Sequence, residues 1–306
     1  MQRVLALLGA VALVVAAIAI RQLITGDDDG GGGGGGGGDG DDTIVMACVT
    51  ELEDACRALA ADADGVDVVI EDAGETMDKL VAGDSGYDGW ITFEPWPEVV
   101  AIDEPEDALG TPSGPVVSTE LALVVPDTAA PCGSGQPVGW RCLGDAGANV
   151  GIPARTSGLG LLLLGNAASN YFGTSDFATN DFDPAFDDWL DVITDNSGQG
   201  DPFAELLVAF PPTRVFDAVG TTTARFDDDV PGSRADGRLD PVDTDPVASA
   251  DVVVVPIAGS GDEERVTELA DEPALVDALV ETGWSAGGAD DTGLPSGGVL
   301  YALLSR

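Results

Sequence analysis

Between Thr43 and Pro97 the apolar pattern alternates between strand and helix periods, and this restricts the chain to a parallel α/β sheet. TIVMACVT (43–50) is apolar and β-branched, as a strand buried on both faces must be, and Thr50 with Glu53 reads as a capping box opening the helix ELEDACRALAAD. Gly65 ends that unit. DVVIED (67–72) is a second strand, Thr76 to Val81 a second helix and YDGWIT (87–92) a third strand. Ligands of open parallel sheets lie beyond the carboxyl ends of the strands. The run YDGWITFEPWPEVV therefore places Asp88, Trp90, Thr92, Glu94 and Trp96 where a site is expected.

Two clusters carry binding chemistry. Indole faces with carboxylates can cage a cation, which suits Asp88, Trp90, Glu94 and Trp96. Equally, Trp90 and Ile91 can be strand core, with Pro95, Trp96 and Pro97 shaping a surface loop. The second cluster is Arg155, Thr156, Ser157 and Gly158, directly ahead of the leucine run 159–164. Free amides at a helix amino terminus, two hydroxyls and a guanidinium suit an oxyanion or carboxylate, and the plainer reading is an ordinary N-cap with a structural salt bridge.

These segments resemble the first lobe of extracellular solute-binding proteins of the type II periplasmic-binding-protein fold, the receptors that serve ABC transporters. VVSTELALVVP (116–126) is similar to the strand that leaves that lobe, and IPARTSGLGLLLLGNAASNYFG (152–173) to the strand-to-helix turn of the second lobe. ALVDALVETGWSAGG and LPSGGVLYALL (274–304) resemble the closing helices of actinobacterial members, some of them fused to von Willebrand factor A domains. The resemblance implies a two-lobed α/β fold with two chain crossovers: lobe 1 over 43–118, lobe 2 over 119–246 and a return to lobe 1 over 247–306. It adds Thr50, Glu51, Ser118, Thr119, Gly220 and Thr221 as cleft candidates. The two clusters would then face each other across the cleft, where a zwitterionic or amino-acid-like solute would satisfy both. Closure on solute is the implied mechanism. DVVVVPIAG (251–259) reads as the returning strand, and 227–246 as a surface excursion without regular structure.

The amino-terminal 42 residues bear on location. Val4 to Ile20 is an apolar run of 17 residues, about 25 Å as a helix and close to a ~30 Å hydrocarbon core once extended to Ile24 with Arg21 snorkelling. We read residues 1–25 as an uncleaved single-pass transmembrane anchor; the alternative is a signal peptide cleaved near Ala17 and Ala19, which would leave the protein secreted. In either case the remainder is exported. Residues 26–42, with nine consecutive glycines, form a flexible linker with a reach of about 23 Å. A single match to a calcium-binding nonapeptide at 37–44 reads as chance, because one repeat cannot stack.

Fifty-five acidic side chains stand against 12 basic ones, Lys79 is the sole lysine, and the net charge is −43. Such a surface repels nucleic acid and anionic headgroups and matches adaptation to high salt. Four cysteines suit an exported protein, and pairing Cys48 with Cys56 and Cys132 with Cys142 is the preferred of three connectivities. Zinc is the alternative, but neither spacing matches a compact ligand pair. The chain has no histidine. This removes Ser-His-Asp and Cys-His relays and His-ligated metals. No phosphate-cradling or nucleophile-elbow motif occurs either, so the expectation is a binding protein with no cofactor, no metal and no catalytic residue. The expected partners are a small-molecule solute, an ABC permease or another envelope membrane protein, and the membrane itself through the amino-terminal helix. A ligand-free scaffold module of the same fold is the competing reading.

Overall fold

The computed structural model describes residues 43–83, 85–103, 108–127, 132, 138–198, 200–209, 215–289 and 291–306. The expected anchor or signal helix and the glycine linker lie outside these residues. Among the described residues no helix is long and apolar enough to cross a membrane.

The alternation at the start of the domain produces β1 (Ile44–Val49), α1 (Glu53–Asp62), β2 (Val66–Glu71), α2 (Ala73–Val81) and β3 (Gly89–Phe93). β1 is parallel to both β2 and β3. The expected capping box does not form. A 3-10 turn over Thr50–Leu52 intervenes, the Thr50 hydroxyl donates to Asp72 Oδ1 at 3.1 Å, and Glu53 instead pairs with Arg57. A disulfide joins Cys48 to Cys56, pinning α1 to the end of β1, and a second joins Cys132 to Cys142.

The expected surface loop at 95–97 is the first turn of a helix, α3 (Pro95–Asp103). Proline lacks an N–H that the first helical turn would leave unpaired anyway, so Pro95 starts this helix without loss. Next comes β4 (Val117–Pro126), the element that joins the two parts of the sheet. Its residues 117–120 pair with β8 (Ser249–Pro256), while 121–126 pair with β6 (Ala218–Thr222) and β7 (Leu239–Val242). With β5 (Val150–Gly151) the strand order is β2-β1-β3-β8-β4-β6-β5; β7 and β9 (Ser285–Ala286) also pair with β4. β8 runs antiparallel between β3 and β4, and all its residues are buried.

The 227–246 segment corrects the sequence reading. It contains the end of α8 (Thr223–Asp229) and the strand β7, and it buries Val230, Ala235 and Leu239. Helices α4 (Trp140–Ala146), α6 (Pro184–Thr194) and α7 (Pro202–Ala209) accompany β5 and β6; α9 (Glu263–Glu268), α10 (Pro273–Glu281) and α11 (Gly297–Leu304) follow β8.

At the centre lies α5 (Gly158–Phe172), every residue of which is buried from Gly158 to Ser169. A helix that is apolar all round has to be enclosed. Five of its leucines, 159 and 161–164, are fully or almost fully buried, each contributing about 1.5–3 kcal/mol. Within it, the buried Asn166 accepts from Trp140 Nε1 at 2.7 Å and donates to the Pro246 carbonyl at 3.0 Å, tying the helix to the segment that returns to β8.

Replacing Cys48 and Cys56 together with alanine should lower unfolding stability by about 2–3 kcal/mol, the loop-closure entropy of a loop this short. Denaturant titration measures it, and an unchanged midpoint would show that the bridge adds nothing.

Candidate functional site

The strand directions define the junction. β1, β2 and β3 point their carboxyl ends toward the place where β4 passes from one part of the sheet to the other, since β4 is antiparallel to β8 and β8 to β3. From the other side, the end of β6 at Thr222 pairs with Leu121 at that same crossing, and β5 runs parallel to β6. Two sets of carboxyl ends therefore meet at one crossing point. The first set brings Thr50 and Glu51 after β1, Asp72 after β2, and Phe93 and Glu94 at the end of β3. The second brings Ser157 and Gly158 after β5 and Thr222 at the end of β6.

Turns of the two sets touch. Leu159 N–H donates to Glu51 Oε1 at 2.7 Å, Gly74 N–H to the Thr156 carbonyl at 2.8 Å, and Trp96 Nε1 to the Gly158 carbonyl at 3.1 Å. Contact this close depends on glycine. A Cβ on Gly158 would lie 2.8 Å from the Phe93 ring and 2.9 Å from Glu51 Oε2, and one on Gly74 would lie 2.9 Å from Thr156 Cβ.

Ser157 is the N-cap of α5, its Oγ accepting from Gly160 N at 3.0 Å. Arg155 is half-buried and Thr156 exposed. The salt bridge expected for Arg155 is not among the ion pairs of the described residues. At the crossing strand, the Ser118 hydroxyl donates to Asp251 Oδ1 at 2.5 Å, and Thr119 Oγ1 accepts from Ala224 N at 3.0 Å, capping α8 from the neighbouring strand. Gly220 and Thr221 are buried in β6.

Three members of the aromatic cluster are placed differently from the cage that the sequence suggested. Asp88 stands at the amino end of β3, accepting from Val45 N at 2.8 Å. Asp88 and Glu94 are six positions apart, about 20 Å along an extended strand, so Asp88 belongs to the opposite end of β3. Trp90 and Trp96 are fully buried and pack edge to face with centroids 6.4 Å apart, so their ring faces are core and not an open cage. Of that cluster only Glu94 is exposed at the junction. Burial raises its pKa, helped by the carboxylates of Asp251 and Glu98. The sequence reading missed Asp72, Gly74, Phe93 and Asp251. Asp72 could have been found by the same strand-end rule that found Glu51, and Asp251 by its position as the one charge at the head of the VVVV run.

Glu51 is the least ordinary group here. The residue retains some surface, but its carboxylate is enclosed and Oε2 has no hydrogen-bond partner. Burial raises its pKa above the usual carboxylate range, overcoming the opposing Leu159 and Ser157 contacts, and Asp72 adds to the rise. Three other buried polar atoms near these strand ends also lack partners: Trp90 Nε1, Thr92 Oγ1 and Thr221 Oγ1. Two surface concavities lie elsewhere. One of about 670 Å³ is bordered by Arg141, Asp145, Asn170, Asp243 and the Cys132–Cys142 bridge; another of about 590 Å³ is bordered by Asn149, Asp191 and Asp195.

The sequence matches no family model and no curated protein. Among solved structures, the chain is similar to AfuA, a periplasmic binding protein from Actinobacillus pleuropneumoniae with fructose-6-phosphate bound (12% identity, TM-score 0.60, covering 86% of this chain and 96% of that one). It is also similar to a periplasmic thiamin binding protein (15%, 0.57, 83% and 86%) and to the Trichodesmium protein IdiA, or FutA, in complex with iron and citrate (8%, 0.52, 86% and 95%). At these identities the likeness establishes a shared mixed α/β fold, that of proteins that bind chemically unrelated small solutes.

Two predictions follow from these placements. Trp96→Ala should cost about 3–5 kcal/mol in denaturant unfolding, as for a large core side chain; a loss below about 1 kcal/mol would mean that the ring is accessible after all. The raised pKa of Glu51 means that the folded state binds a proton more tightly than the unfolded chain. Stability from this group is therefore present at acid pH and lost as pH rises through the folded pKa. Glu51→Gln should flatten that part of the pH–stability profile, and an unaltered slope would contradict the assignment.

Proposed function

We propose that this chain is an extracytoplasmic receptor that captures a small polar solute at the junction and presents it to an ABC-type transporter or sensor in the membrane. The observation that carries the reading is the meeting of two sets of strand carboxyl ends at a crossing point made of few strands. Such a point lets two bodies hinge while the strand-end loops close on a ligand. The candidate contacts are Thr50, Glu51, Glu94, Ser118, Thr119, Arg155, Thr156, Ser157, Gly158 and Thr221. Binding, not turnover, is the proposed activity, because the sequence has no histidine and so no side chain whose ordinary pKa lies near neutrality. An exported location fits the cystine pairs and the apolar run near the amino terminus.

A second reading is a scaffold of the same fold whose junction stays shut. Its support is the set of direct hydrogen bonds between Glu51 and Leu159, Gly74 and Thr156, and Trp96 and Gly158, which already close the gap.

A thermal-shift screen of the full chain in high salt against amino acids, amines, oxyanions and sugars separates the two. A receptor should gain about 2.7 kcal/mol at a hundredfold excess of solute over its Kd. Gly158→Ala, which puts a methyl group against the Phe93 ring, should enlarge the radius of gyration in X-ray scattering and weaken that solute at least tenfold. No response to any solute class would favour the scaffold.

A further inference from the structure

We propose that Glu51 makes the junction selective for amines and ammonium compounds, its carboxylate standing where an anionic solute would otherwise bind. This inference rests on the receptor reading. A helix amino terminus attracts anions because its first N–H groups are unpaired and its dipole is positive there. In α5 two of those groups are taken: Leu159 N–H is bonded to Glu51 Oε1 and Gly160 N–H to Ser157 Oγ. The carboxylate comes from the opposite side of the junction, out of the turn after β1, and it holds the position a solute oxyanion would need. A second anion would meet a like charge in a site where little water screens the repulsion.

The other oxygen of Glu51 indicates what is accepted instead. Oε2 is buried with no donor, close to Gly158 and Phe93. A buried carboxylate oxygen without a partner is costly, and the cost disappears when an N–H⁺ group supplies both a hydrogen bond and a countercharge. Among the described residues no lysine or arginine forms an ion pair with Glu51, and its nearest charged neighbour of note, Asp72, carries the same sign. On the next strand ends, Glu94 lies within repulsive reach of Asp251 and Glu98. The junction thus holds several carboxylates on four different segments, and only one of their oxygens is both enclosed and unmatched. The net charge of −43 also favours cations at long range, but at molar salt the Debye length is about 3 Å. Discrimination then falls to the enclosed carboxylate.

The test uses three probes of equal chain length and different charge, butane-1,4-diamine, butane-1,4-diol and butanedioate, in thermal-shift titrations of the full chain at fixed ionic strength. The diamine should stabilise saturably, while the diol and dioate should not. Glu51→Gln should weaken the diamine at least tenfold. Glu51→Ala, which vacates the end of α5, should respond to the dioate. If the diol or the dioate stabilises the unaltered chain as well as the diamine does, a solute binds and the receptor reading stands, but the charge assignment is overturned. If neither these probes nor the wider solute panel has any effect, both fall. Should the Glu51 variants fail to fold, the comparison of the three probes on the unaltered chain still decides.

Discussion

One hydrogen bond, from the Leu159 N–H to the Glu51 carboxylate, joins the turn after the first strand to the beginning of the central helix. The two residues lie 108 positions apart, and the surrounding architecture brings them together. The apolar helix α5 must be enclosed, so its amino end is pressed against the strand ends of the neighbouring sheet region. Once there, its unpaired N–H groups need acceptors, and a carboxylate is the strongest acceptor available. Gly74 and Gly158 make the approach sterically feasible, since a methyl group at either position would collide with the facing turn.

The elements legible in the sequence are those whose signal is local. β1 and β4 are buried apolar runs, β2 is a β-branched run at the sheet's edge, β3 is a short apolar run, and the leucine-rich α5 announces itself by having no polar face. The misread elements depend on distant partners. β7 is a strand only because β4, more than a hundred residues earlier, offers it an edge, and Pro241 within it disguised the pattern. Trp96 looked like a surface aromatic because prolines flank it, yet Pro95 begins a helix that carries the indole into the core. Asp88 and Glu94 lie in the same short phrase of sequence but at opposite ends of β3. The side on which a carboxylate emerges is set by strand direction, and no composition argument contains that information.

The same holds for charge. The sequence has 55 acidic side chains, and their number hides the few that are enclosed among the described residues. Glu71 is one of these. Its carboxylate accepts from Thr76 Oγ1 at 2.7 Å, from the Tyr87 hydroxyl at 2.9 Å and from Lys79, whose ammonium also lies 5.6 Å from the centroid of the Tyr87 ring. Contact with Glu71 and Tyr87 raises the Lys79 pKa. The only lysine of the chain is therefore committed to holding β2, α2 and the start of β3 together.

Glu71 and Glu51 thus show the two outcomes open to a buried carboxylate. With three donors, Glu71 is fully matched and its role is mechanical. Glu51 has the Leu159 amide on Oε1 and no hydrogen-bond partner on Oε2, and its neighbours are Ser157, a glycine, an aromatic ring and another acid. A structural carboxylate gains nothing from that asymmetry, because an unmatched oxygen in a closed junction weakens the folded state. The asymmetry is useful only if something else supplies the second donor. In a medium where salt screens every exposed charge, an enclosed group is the one place where a protein this acidic can still distinguish one solute charge from another.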